Sequence, residues 1–158
     1  MSDRMIRDLE YAAVRFNSKI NSKVVSDLHS QGAVKSMDDL TIEGISRIRS
    51  DLGEFDLQAK TRDAIENAYK SSDRIREIAD EYKESCIREG IFTISVDDEE
   101  YPYLWRCISG MPKVIFARGR RDILDQCHKK GACSVVGTRK PGRYASYATD
   151  EFTRNISS

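Results

Sequence analysis

Val135-Val136-Gly137-Thr138-Arg139-Lys140-Pro141-Gly142-Arg143-Tyr144 runs from an apolar strand pattern, through a glycine turn, into a helical pattern. Glycine lets a ligand approach the backbone closely. The helix N-terminus that follows presents unpaired N–H groups and a partial positive charge, which suit a phosphate. Arg139 offers a planar fork for two charge-assisted bonds, Lys140 and Arg143 add charge, and Thr138 adds a hydroxyl donor. The spacing is neither the GxGxxG dinucleotide fingerprint nor a P-loop. Chemistry alone therefore gives a candidate anion site at Gly137, Thr138, Arg139, Lys140 and Arg143. A tight turn with solvated basic residues accounts for the same pattern.

Before this turn the sequence carries short β-type runs, at Ile91 to Val96, Val114 to Ala117 and Cys133 to Val136. Each is bounded by Gly, Pro or charged clusters, as strands are. Asp122 to Cys127 reads as a short helix, and Tyr144 to Ile156 as the helix after the glycine turn. Strand, glycine turn and helix open a doubly wound α/β layer. A parallel sheet needs several strands covered on both faces. The sequence stops after the first clear unit, so the expectation is a truncated Rossmann-like sheet with an exposed edge.

Residues 1–88 have a different period. Ile6, Leu9, Ala13 and Phe16 recur at helical spacing, and Val24, Val25 and Leu28 suit a second helix ending near Gly32. Ser36 with Asp39 resembles an N-cap, ahead of Leu40, Ile45, Ile48 and Leu52, with Gly53 as a stop. Leu57 to Tyr69 is a further helix. Ser72 and Asp73 cap a last one, carrying Ile75, Ile78, Ala79, Tyr82, Cys86 and Ile87, which Gly90 ends in the left-handed conformation. The expected organisation is an all-helical domain at 1–88 followed by an incomplete Rossmann-like domain at 89–158.

Composition is that of a folded protein: 158 residues, 39% apolar and 33% charged. No run approaches a membrane span and no signal peptide opens the sequence, which makes a cytoplasmic location the expectation. Net charge is zero but uneven. Residues 1–112 hold 16 Lys and Arg against 22 Asp and Glu, and residues 113–158 hold 10 against 4. The asymmetry points an anionic partner at the second part. Cys86, Cys107, Cys127 and Cys133 lack CxxC spacing, and they read as reduced structural thiols. Cys127-His128 with Cys133 is a faint metal constellation. No metal or cofactor is expected.

A second motif precedes the turn: Gly90-Ile91-Phe92-Thr93-Ile94-Ser95-Val96, then Tyr101-Pro102-Tyr103-Leu104-Trp105, then Pro112-Lys113-Val114-Ile115-Phe116-Ala117-Arg118-Gly119. Tyr101, Leu104 and Trp105 read as core residues, since aromatic side chains bury large areas. Together with Val136-Gly137-Thr138-Arg139, this order of elements resembles the DNA-processing protein A (Smf) family. The resemblance covers roughly the last 70 residues of the chain, and less clearly the helical part before them. It implies a Rossmann-like domain that binds single-stranded DNA without strong sequence preference, helps load the recombinase RecA and forms a homodimer at full length. In that family the arginine of the turn, here Arg139, lies in the basic DNA pocket, and Lys140 and Arg143 match positions around it. The family continues into a Ser-Gly-x-Ala-x-Gly-Ile-Asp segment, which this sequence does not reach before Ser158, so an incomplete site is expected.

The resemblance also implies a small sterile-alpha-motif-like helical domain. Leu40-Thr41-Ile42-Glu43-Gly44-Ile45-Ser46 partly matches a helix-hairpin-helix turn, with Ser46 where a second glycine belongs. Its acidic surroundings favour packing or partner docking over DNA contact. His29 and His128 are isolated and no carboxylate pair flanks a nucleophile, so no catalytic residues are assigned. Two other functions fit parts of the pattern. One is an enzyme that binds nucleoside monophosphates at the glycine turn. The other is a protein-interaction module working through the acidic helices.

Overall fold

The computed structural model describes residues 2–122 and 136–157. The described residues form seven α-helices, one 3-10 turn and a two-stranded sheet. They are α1 Asp3–Asn17, α2 Ser22–Ser30, the 3-10 turn Asp38–Leu40, α3 Ile42–Ser50, α4 Ala59–Lys70 and α5 Ser72–Glu89, then β1 Ile91–Ser95, α6 Tyr103–Arg106, β2 Val114–Arg118 and α7 Arg143–Ser157.

Local chemistry sets the helix starts. The Asn21 side chain accepts from the N–H groups of Lys23 and Val24 at 2.9 and 3.2 Å and opens α2. Thr41 caps α3 by accepting from the Gly44 N–H at 3.2 Å. This corrects the expectation of a cap at Ser36. There the bond runs the other way, with the Asp39 carboxylate accepting from the Lys35 and Ser36 N–H groups at 2.8 and 2.9 Å. That closes a loop and leaves α3 to begin after it. Gly90 ends α5 at φ 63°, as expected. Arg62 pins the connection into α4 by donating to the carbonyls of Leu52, Phe55 and Leu57.

The core lies among α1 to α5. Ala13, Val14, Ile20, Leu28, Ile65 and Ile75 are all at most 2% exposed, and α1 runs against α5. The expected helical periods name three of these six, Ala13, Leu28 and Ile75. Phe16 and Ile87, expected on buried faces, are 76% and 64% exposed, because each helix turns that flank outward.

β1 and β2 pair antiparallel, from Ile91 opposite Arg118 to Ser95 opposite Val114. The expected sheet was parallel. Parallel pairing requires a crossover, usually a helix, that carries the chain back to the same end. Residues 96–113 hold only the single-turn helix α6 and fold back, with the Tyr101 hydroxyl donating to the Pro112 carbonyl at 2.6 Å. Of the expected third strand, residues 133–135 lie outside the described residues, as does most of the expected Asp122 to Cys127 helix. Tyr101 is buried at 1% exposure, but Leu104 at 71% and Trp105 at 40% are not the core residues the sequence suggested. The observed class is mixed α and β.

The helices and the sheet are joined through charge. Asp8 on α1, fully buried, accepts from the Thr93 hydroxyl of β1 at 2.8 Å and from the Arg7 guanidinium at 3.0 Å. Arg7 also donates to the Ser95 hydroxyl at 3.0 Å and pairs with Asp97 at 3.1 Å. Arg4 pairs with Asp98, whose other oxygen accepts from the Ser95 N–H at 2.6 Å. Burial pushes the Asp8 carboxyl above its ordinary value, against the bonds from Thr93 and Arg7. Burial also acts upward on Asp98, but there the bonds from Ser95 and Arg4 outweigh it and hold the carboxyl below its ordinary value.

Candidate nucleic-acid interface

Residues 136–142 run without regular structure into α7, which starts at Arg143. All five sequence-predicted site residues, Gly137, Thr138, Arg139, Lys140 and Arg143, sit in this turn or on the first residue of the helix, and all are exposed. The Lys140 N–H points to the Thr138 hydroxyl at 3.4 Å, and the Gly142 carbonyl accepts from the Ser146 N–H at 3.1 Å as α7 takes up its helical pattern. A Cβ at Gly137 or Gly142 would meet nothing within 4 Å, so no neighbour in the described chain requires glycine at either position. The backbone there is open to a ligand. The first-turn N–H groups of α7 face this turn's end of the helix, as the geometry of any helix start dictates.

Ion pairing separates this turn from the other described arginines of the basic segment. Arg118 pairs with Glu89 at 3.6 Å, Arg120 with Asp122 at 2.5 Å, and Arg121 with Glu100 while also lying over the Phe92 ring. Arg106 donates to the carbonyls of Val96 and Asp98 at 2.7 and 2.9 Å. Among the described residues, Arg139, Lys140 and Arg143 have no ion pair. The charge excess that the sequence gives to residues 113–158 is thus partly spent within the chain and is available at the turn. The helix that carries the turn is itself uncovered, with Tyr144 83%, Tyr147 65% and Phe152 54% exposed.

The helix-hairpin-helix-like stretch has a different explanation. Gly44 is buried, and a Cβ there would stand 2.3 Å from the Asp38 carbonyl oxygen and 2.5 Å from that of Asp39. The glycine is needed for the 3-10 turn to lie against α3. Ser46 turns inward along its own helix, donating to the Ile42 carbonyl at 3.0 Å. The cleft beside this turn mixes Asp3, Glu10, Asp38 and Glu43 with Arg7, Arg47 and Arg76, so it carries no excess of positive charge for a phosphate.

Cys86 is buried, and burial pushes its thiol up, which makes it an inert core residue. Cys107 is exposed, and the Cys127, His128 and Cys133 set lies outside the described residues. Among the described residues no cluster of His, Cys, Asp or Glu has the geometry of a metal site, and no helix is long and apolar enough to cross a membrane. The sequence reading missed the roles of Arg4, Arg7 and Arg62. A charged residue inside an amphipathic helix gives no local sign of the backbone or carboxylate it will meet.

Residues 92–158 match the family described as DNA recombination-mediator protein A. The chain is also similar to the DNA processing protein DprA of Bacillus subtilis (strain 168), at 30% identity over 106 residues, covering 63% of this chain and 33% of that protein. It therefore spans about a third of the length of this curated relative. No solved structure matches. The candidate turn falls inside the residues that are similar to the DNA recombination-mediator protein A family.

Proposed function

We propose that this chain is a non-catalytic, single-stranded-DNA-binding accessory protein of DNA uptake and recombination, with residues 137–143 contacting the phosphate backbone. The observation that carries this reading is the unpaired basic turn at a helix start, inside the residues that match the recombination-mediator family. Arg139 supplies the forked contact, Lys140 and Arg143 supply charge, and Gly137 and Thr138 supply backbone and hydroxyl donors. Exposed rings on α7 fit single strands, whose bases stack on aromatic faces without sequence preference.

The finer parts of the proposal rest on family kinship. They are a Rossmann-like domain over 89–158, a sterile-alpha-motif-like helical domain over 1–88, loading of the recombinase RecA, a homodimer at full length and a cytoplasmic setting. The test is fluorescence anisotropy with a labelled poly-dT oligonucleotide across a range of salt. Binding should weaken with a log–log slope of about −0.7 per phosphate contacted. Arg139→Ala should lower the slope by about one such contact. Arg74→Ala should leave it unchanged, because Arg74 lies on α5 and pairs with Glu77 and Glu81. Equal effects from both variants would remove the assignment. Saturation by nucleoside monophosphates without dependence on oligonucleotide length would favour a nucleotide site instead.

A further inference from the structure

A groove of 560 Å³ opens where α2, the loop after it and the start of β2 meet. Its floor is aliphatic and thioether, with Val25, Val34, Met37 and Val96. Its rim carries Lys35 and Lys113. Both lysines are exposed, and among the described residues neither has an ion pair. The Arg106 guanidinium also lines the groove, its N–H groups directed to the Val96 and Asp98 carbonyls. The carboxylate at the groove, Asp97, is engaged by Arg7 at 3.1 Å. The groove is therefore cationic, although residues 1–112 as a whole carry more acid than base.

We propose that this groove docks an acidic peptide segment of a partner protein, with a bulky apolar side chain on the floor and carboxylates at Lys35 and Lys113. Charge complementarity selects the acidic partner. The floor selects a side chain over a base. Of the two rings that line the groove, Tyr11 is 9% exposed and offers no free face for a nucleobase, and His29 is held at its edge with Nδ1 2.8 Å from the Val34 carbonyl. Aliphatic and methionine surfaces instead accept varied apolar side chains, and the volume is within the range of such sites. The inference is independent of DNA binding at residues 137–143.

The probe is a fluorescein-labelled peptide with a run of aspartates followed by leucine and phenylalanine, titrated into the full chain and read by anisotropy. Binding is expected, and the double variant Lys35→Glu with Lys113→Glu should weaken it about tenfold by placing like charges together. Lys70→Glu, an exposed reversal on α4 outside the groove, should change nothing. Val25→Glu should also weaken binding, and circular dichroism checks that it folds. A peptide with asparagines for the aspartates, or serines for leucine and phenylalanine, should bind poorly. The proposal is overturned if the acidic peptide does not bind, if either control peptide binds as well, or if Lys70→Glu is as damaging as the double reversal. Displacement of the peptide by poly-dT in the Lys35 and Lys113 groove would also overturn it, by giving the groove to nucleic acid.

Discussion

The five helices over residues 3–89 and the helix at Arg143–Ser157 are both strongly amphipathic, yet only the first set buries its apolar face. In α1, Leu9, Ala13 and Val14 are at most 1% exposed. In α7, Phe152 and Ile156 are each 54% exposed. Apolar area buried contributes roughly 25 cal/mol per Å², so the same pattern stabilises one region and contributes little to the other. Stability and the candidate DNA contact are therefore carried by different parts of the chain. The helical part buries its apolar face and carries more acid than base. The basic turn and its helix are open and unpaired.

The largest contrast should appear on truncating one apolar side chain in each region. Leu28→Ala, at a fully buried site, should cost about 2–5 kcal/mol in urea denaturation. Phe152→Ala should fall within about 0.5 kcal/mol of the parent. A large loss at Phe152 would mean that α7 is packed in solution, and the division of roles would fail.

The joint between α1 and β1 gives the next effect. Arg7→Ala leaves Asp8 buried with Thr93 as its partner, and breaking such a pair costs about 3 kcal/mol near neutral pH. The pH dependence has a definite sign. Asp8, held above its ordinary value, binds its proton more readily when folded, so its contribution falls as pH rises through that raised value. Asp98 and Asp39, held below theirs, contribute above the ordinary carboxylate value, and this is lost as pH falls through their folded values. The cost of Arg7→Ala should therefore shrink on mild acidification, while the parent protein loses stability only in stronger acid. A cost that does not change between neutral and mildly acidic urea titrations would contradict a charged Asp8.

The two glycines differ in the same way as the two regions. Gly44→Ala should cost about 1–3 kcal/mol, since its Cβ would overlap the Asp38 and Asp39 backbone. Gly137→Ala, with open space around it, should leave thermal stability unchanged. If Gly137→Ala nevertheless weakened poly-dT binding, the turn's glycine would be reserved for a ligand and not for the fold.

Which of these features the sequence discloses depends on the range of the interaction. Helix periods, the Gly90 terminus and α7 are local and were legible. So was the clustering of Gly137, Thr138, Arg139, Lys140 and Arg143, because they are contiguous. The antiparallel pairing of β1 with β2 was not legible, since it depends on how residues 96–113 fold back around Tyr101. The inward reading of Leu104 and Trp105 failed because a one-turn helix cannot bury every apolar residue it carries. Arg7 and Asp8 give no sign from spacing that they meet residues far along the chain, at Thr93 and Asp97. The helix-hairpin-helix likeness is real in pattern, but the buried contact of Gly44 gives that pattern a packing cause.

The smallest expected effect concerns α7 itself. Isolated helices of about 12–15 residues are marginal in water, because nucleation is costly and propagation gains little. α7 has 15 residues and no buried side chain among those described. Its amides should therefore exchange with solvent under native conditions with opening free energies near zero, while those of α1 and α4 approach the global stability. Adding poly-dT sharpens the comparison. If residues 137–143 bind phosphate at the start of α7, the ligand should favour the ordered helix and slow exchange there, leaving α1 and α4 unchanged. Slowing confined to α3 would instead move the nucleic-acid contact to the acidic hairpin.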